Sequence, residues 1–84
     1  MLDDLRKNID NIDEQLVELI AKRIEIVKKI GEFKKQNNLP VLDKNRFEKV
    51  LEKVEKKAIQ QGLSQDFVKE LYEVIHKYSC EVEK

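Results

Sequence analysis

Residues 2–37, LDDLRKNIDNIDEQLVELIAKRIEIVKKIGEFKKQN, decide the fold of this 84-residue chain. Ten positions in this stretch follow a 3-4-3-4 spacing without interruption, and all but one are apolar: Leu2, Leu5, Ile9, Ile12, Leu16, Leu19, Arg23, Ile26, Ile30 and Phe33. This spacing places the side chains on one side of an α-helix, and no part of the stretch alternates as a β-strand would. We therefore predict one helix from about residue 2 to about residue 37.

Two shorter helices are predicted after the first, which gives an all-α fold of three helices in a single domain over residues 1–84. Pro40 ends the first helix, because the residue before a proline avoids the helical region. Asp43 and Ser64 are expected to cap the second and third helices, and Gly62 to end the second. The predicted apolar faces are Phe47, Val50, Leu51, Val54 and Ala58 on the second helix, and Phe67, Leu71, Val74 or Ile75, Tyr78 and Val82 on the third.

The length of the first helix predicts a dimer. A helix of this size is about 54 Å long, whereas a compact domain of this chain length has a radius of gyration of about 12 Å. The apolar stripe would then be exposed unless a second chain covered it. We predict an intertwined antiparallel homodimer with two-fold symmetry. An extended parallel coiled coil is the alternative, although the two shorter helices would then have little to pack on.

Composition excludes several classes of function. The chain has 17 basic and 17 acidic residues, so its net charge of +0 attracts neither nucleic acid nor an anionic membrane. Cys80 is the only cysteine and His76 the only histidine, which excludes a disulfide framework, a zinc cluster and a His-dependent triad. No run of aliphatic or aromatic residues exceeds three. We expect a cytoplasmic protein without cofactor or metal, with His76 on the solvated flank of the third helix.

Arg23 is the one charged member of the apolar stripe. A guanidinium among apolar neighbours is strongly destabilising when unpaired, so either a carboxylate side chain or a bound anion must meet it. Lys34 lies three helical turns further along on the same face, about 16 Å away, and the two cations can bracket a small anion. Arg6 is about 25 Å from Arg23 along the helix. In an antiparallel dimer, Arg6 of the partner subunit comes alongside the segment from Arg23 to Lys34.

Five segments occur in the order and spacing of one enzyme family, and together they cover nearly the whole chain. They are residues 5–13, 21–23, 30–34, 40–46 and 79–83. The chain resembles the all-α chorismate mutases. The resemblance implies an intertwined three-helix homodimer with two equivalent sites, each using one arginine of the partner subunit. It also implies the rearrangement of chorismate to prephenate in phenylalanine and tyrosine biosynthesis, with chorismate as the small-molecule partner.

The resemblance also implies roles for individual residues. Arg23 and Arg6 of the partner subunit would bind the two substrate carboxylates. Lys34 would donate to the ether oxygen and a carboxylate, and Glu83 would also reach the ether oxygen. Glu83 can donate only when protonated. Fraying of the C-terminus at Glu83 is the alternative to this role.

The remaining assignments concern the ring of the substrate. Asp43 would hold the ring hydroxyl, largely through its main chain, with Arg46 beside it, and Ser79 would lie near the ring carboxylate. Phe47 departs from the family, which usually has a glutamate there that helps to hold the hydroxyl. Phe47 is then either a staple partner of Leu42, or its presence weakens substrate binding.

Two other functions fit the same sequence. Isochorismate pyruvate lyase is a related activity on the same scaffold, and the loop after the first helix is too generic to decide between the two. A non-catalytic helical dimerisation or regulatory module, in which the arginines pair with acidic side chains, is the alternative from a different class. Only the resemblance favours the enzyme over that module.

Overall fold

The computed structural model describes all 84 residues, and they form three α-helices joined by two short loops. Helix α1 spans Leu2–Gln36, α2 spans Lys44–Gln60 and α3 spans Gln65–Glu83. The predicted all-α fold with one very long first helix is confirmed. None of the three helices combines the length with the hydropathy that a bilayer-spanning segment requires.

The ends of α2 and α3 follow the predicted local signals. The Asp43 carboxylate accepts a hydrogen bond from the backbone N–H of Arg46 at 3.0 Å, and the Ser64 hydroxyl accepts one from that of Phe67 at 3.2 Å. Gly62 follows the end of α2 with φ +73°, a conformation that glycine adopts without strain. These caps fix where α2 and α3 begin, and therefore how their side chains face α1.

The core of the single chain is small. Helix α3 packs against both α1 and α2. Only six of the 84 residues are buried: Val27, Gly31, Ala58, Val68, Ser79 and Glu83. The chain measures 55 × 23 × 15 Å, and its radius of gyration of 15.7 Å exceeds the value of about 12 Å for a compact domain of this length. Helix α1 therefore extends well beyond the part of the molecule that α2 and α3 cover.

The apolar stripe of α1 lies on the surface of the single chain. Its nine apolar members are between 43% and 60% exposed. The inward residues of α1 are instead Val27 and Gly31, with Arg23 and Lys34 half-buried on either side of them along the helix. This large apolar surface is the feature from which a dimer was predicted.

Only part of the predicted apolar face of α3 is covered within the single chain, where Ile75 and Val82 are half-buried. Phe67, Leu71, Val74 and Tyr78 are 44% to 67% exposed. Helix α3 turns a different side toward α1 and α2, on which the buried or half-buried residues are Val68, Tyr72, Ile75, His76, Ser79, Cys80, Val82 and Glu83. This inward side includes the polar residues Ser79 and Glu83, which line a cavity, and hydrophobicity alone does not predict that placement.

Candidate active site

A cavity of about 140 Å³ lies where the C-terminal half of α1, the start of α2 and the C-terminal half of α3 meet. Six of the seven predicted site residues line it: Arg23, Lys34, Asp43, Arg46, Ser79 and Glu83. Arg6 does not line it, because it lies near the exposed N-terminal end of α1. The other lining residues are Val27, Ile30, Val41, Phe47, Val50, Tyr72 and His76.

Arg23 reaches the cavity half-buried and without a carboxylate partner. One of its terminal nitrogens donates to the Ser79 hydroxyl at 3.0 Å, and that hydroxyl donates to the Ile75 carbonyl at 2.7 Å. The guanidinium also lies 6.0 Å from the centre of the Tyr72 ring. None of the four ion pairs in the chain includes Arg23. Since a guanidinium has five N–H donors, most of the hydrogen-bonding capacity of Arg23 is available to an anion.

Lys34 and Glu83 form the most buried ion pair of the chain. The Lys34 Nζ lies 2.6 Å from the Glu83 Oε1, and the two side chains are only 18% and 10% exposed. The same ammonium donates to the Val41 carbonyl at 2.8 Å. The contact is an ion pair by distance, but its angles are not those of a hydrogen bond. Glu83 Oε1 is therefore a buried oxygen that accepts no hydrogen bond. Buried polar atoms normally have a hydrogen-bond partner, and this one lies at the cavity.

Glu83 is held firmly although it is the penultimate residue. Helix α3 continues through it, so the alternative that the C-terminus frays at this position is wrong. Gly31 is the reason that α3 approaches α1 so closely. A Cβ atom at Gly31 would lie 2.9 Å from the Cα and 3.0 Å from the carbonyl oxygen of Glu83. An isolated glycine within a long helix often has a packing reason. Gly31 was therefore the sequence signal for this contact.

An aromatic pair forms the wall of the cavity beside the start of α2. The rings of Phe47 and His76 stack with their centroids 3.8 Å apart and their planes 13° from parallel. The prediction that His76 lies on the solvated flank of α3 is therefore wrong, since the ring is half-buried and lines the cavity. Helical spacing did not indicate that the side of α3 that carries His76 faces the cavity.

Cys80 lies beside this pair as a half-buried free thiol. Its Sγ is 3.6 Å and 4.0 Å from the two ring nitrogens of His76. Burial raises the pKa of the Cys80 thiol above its ordinary value of 9.0, and the Glu83 carboxylate raises it further. Lys34 and Lys84 oppose this shift. The thiol is therefore protonated near neutral pH, as expected of a cysteine that packs as a small apolar residue.

The chain is similar to several proteins, and two of the three reported below are named for mutase activities. It is 36% identical to the T-protein of Haemophilus influenzae over 83% of its length. It is 34% identical to the bifunctional chorismate mutase/prephenate dehydratase of Buchnera aphidicola subsp. Schizaphis graminum over 94%, and 29% identical to the 4-amino-4-deoxychorismate mutase of Streptomyces pristinaespiralis over 98%. It spans 19%, 20% and 64% of the lengths of these three relatives.

A family match covers almost the whole chain and agrees with the resemblance that its motifs indicate. Residues 5–84 match the family described as Chorismate mutase type II. The match includes all seven of the predicted site residues. It also includes all of α2 and α3 and most of α1. The chain belongs to the chorismate mutase type II family, which is named for an isomerase.

Proposed function

We propose that the protein rearranges chorismate to prephenate, as a homodimer, in phenylalanine and tyrosine biosynthesis. The observation that carries the proposal is Arg23, a half-buried guanidinium that lines a cavity with Lys34 and has no carboxylate partner in the chain. Within the chain, Arg23 forms none of the ion pairs that a structural role would use. Family membership and the name of the Buchnera relative add independent support.

The reaction suits a site without an acid–base pair or a metal. One ether C–O bond breaks while one C–C bond forms within a single molecule, and no proton or electron is exchanged with the protein. Catalysis then consists of holding the dianion in its compact reactive conformer and stabilising the charge that develops on the ether oxygen. Arg23 and Ser79 would bind one carboxylate. Asp43 and Arg46, at the capped start of α2, would hold the ring hydroxyl.

Lys34 and Glu83 are the proposed donors to the ether oxygen. Their contact at 2.6 Å brings both groups to one point of the cavity. Each donor aimed at a developing oxyanion is worth about 3 kcal/mol of transition-state stabilisation. An ionised Glu83 accepts hydrogen bonds but cannot donate one. Glu83 therefore acts as a donor only when its carboxyl group is protonated.

In the proposed dimer, the partner subunit supplies the arginine that binds the second carboxylate of the substrate. Arg6 lies outside the cavity of its own chain, near the exposed end of α1. Mixing two inactive variants tests whether Arg6 acts across the dimer. The Arg6→Leu and Arg23→Leu homodimers should each be inactive. A heterodimer of the two variants contains one site with both arginines intact, so co-refolding should restore activity. Continued inactivity of verified heterodimers would contradict the arrangement.

The decisive experiment is an ultraviolet assay of chorismate consumption with identification of the product. We expect prephenate. The lyase alternative predicts no reaction with chorismate, and salicylate plus pyruvate from isochorismate. The helical module alternative predicts no turnover of either compound. The cytoplasmic location and the single-domain extent over residues 1–84 remain predictions, and cell fractionation tests the first of them.

A further inference from the structure

We propose that His76, held in place by Phe47, is a specificity-determining residue that selects a ring hydroxyl over a ring ammonium group in the substrate. The inference rests on the proposed function and deepens it. The choice of ring substituent matters because the relatives of this chain include mutases named for chorismate and for 4-amino-4-deoxychorismate. The two substrates differ at the ring position that Asp43 is proposed to hold.

The position of the aromatic pair in the cavity is the first argument. Asp43 is the N-cap of α2, and its carbonyl accepts the backbone N–H of Phe47 at 3.1 Å, so the two residues are adjacent at the start of the helix. The imidazole of His76 stacks on the Phe47 ring from α3, and both rings line the cavity. A substrate whose ring substituent reaches Asp43 therefore meets this aromatic pair as the next part of the wall.

The free hydrogen-bonding capacity of the imidazole is the second argument. The stack with Phe47 occupies one face of the ring. The Sγ of Cys80 lies at similar distances, 3.6 Å and 4.0 Å, from both ring nitrogens, so it is not in line with either N–H bond. A thiol is in any case a weak hydrogen-bond partner. The stack with Phe47 thus fixes the orientation of His76, and the only polar contact of its ring nitrogens is a weak one with the Cys80 thiol, which a stronger ligand group can replace.

The charges around the cavity decide which ligand group this wall favours. Arg23, Lys34 and Arg46 are cations, whereas the carboxylates are those of Asp43 and Glu83. One oxygen of Asp43 already accepts the capping N–H of Arg46, and Glu83 contacts Lys34. An alkyl ammonium group only donates hydrogen bonds and requires a free carboxylate or another acceptor. A hydroxyl can accept from an imidazole N–H while donating to Asp43, so it suits this wall better.

The test compares kcat/KM for chorismate and 4-amino-4-deoxychorismate in the wild type and in variants at position 76. The wild type should prefer chorismate. His76→Leu removes the donor and should lower that preference by about tenfold, the value of one hydrogen bond. His76→Gln keeps an N–H donor and should retain more of the preference than His76→Leu. Lys77→Gln is the matched control, because Lys77 is exposed on α3 and does not line the cavity.

The outcomes separate this inference from the proposed function. A wild type that acts on neither substrate would overturn both. An active wild type that prefers the amino substrate, or an unchanged preference in His76→Leu, would overturn only the role of His76. If His76→Leu does not fold, the nitrogen chemical shifts of this single histidine provide a second measurement in the wild type. They should move when prephenate is added, and shifts that stay constant in a prephenate-saturated sample would overturn the contact.

Discussion

Replacement of Gly31 with alanine should strongly reduce activity while the protein remains folded. The new Cβ would lie 2.9 Å from the Cα, 3.0 Å from the carbonyl oxygen and 3.3 Å from the Cβ of Glu83. The first two are backbone atoms, which cannot turn away as a flexible side chain can. Ordinary contact begins at 3.4 Å, so the last turn of α3 must move by about 0.5 Å or more.

The expected loss of stability is modest, whereas the expected loss of activity is large. Alanine favours the helix by about 1 kcal/mol relative to glycine, and crowding of a packed contact costs about 1–3 kcal/mol. The net loss in the free energy of unfolding should therefore be at most about 2 kcal/mol. Activity is more sensitive, because Glu83 moves away from Lys34 and from the bound substrate. A displacement of about 1 Å in a catalytic group can lower the rate by about 100-fold.

Chemical denaturation and kcat/KM for chorismate, measured on the same preparation, test this expectation. Gly62→Ala is a matched control, because a Cβ there meets nothing within 4 Å and the strain comes only from φ +73°. The control should lose about 1 kcal/mol of stability while the folded enzyme keeps its activity. Wild-type kcat/KM in Gly31→Ala would refute the reasoning that close approach of α1 and α3 positions Glu83.

Three further predictions concern single side chains. Arg23→Leu should fold with equal or higher stability in thermal denaturation, and kcat/KM should fall by at least about 100-fold. Glu83→Gln keeps an N–H donor beside Lys34 and should retain or raise kcat/KM, whereas Glu83→Leu should lower it by about 100-fold. Equal values for these two variants would count against Glu83 as a donor. The raised pKa of Cys80 favours the protonated thiol in the folded state, so the contribution of this residue to stability should be constant below about pH 9 and decline above it, and Cys80→Ala should make the alkaline loss of stability smaller.

The fold was predictable because its signals are local and repeated. The uninterrupted 3-4-3-4 spacing fixed α1 to within one residue at its C-terminal end. Asp43, Gly62 and Ser64 each determine a helix end through one backbone interaction, and the chain contains few competing glycines or prolines. Such signals need only neighbouring residues, so no knowledge of tertiary contacts was required.

The orientation of α3 was harder to predict for a physical reason. Its most apolar side includes Phe67, Leu71 and Tyr78, and a rule based on burial turns that side inward. Within one chain, however, the inward side carries Ser79 and Glu83 because they meet Arg23 and Lys34. The family resemblance identified these residues individually. It gave no information about His76, which is not part of any of the motifs, so the stack with Phe47 appeared only in three dimensions.

The two sides of α3 connect the incomplete core to the proposed site. Polar groups that line the cavity occupy the inward side of α3, and they contribute little hydrophobic stabilisation. The apolar side of α3 and the apolar stripe of α1 remain exposed in the single chain, and covering them would contribute to stability. A second chain that covers these surfaces would stabilise the fold, and an antiparallel α1 would bring Arg6 to the cavity. Dimerisation would then both stabilise the fold and complete the site, because the same partner helix covers the apolar surfaces and carries Arg6.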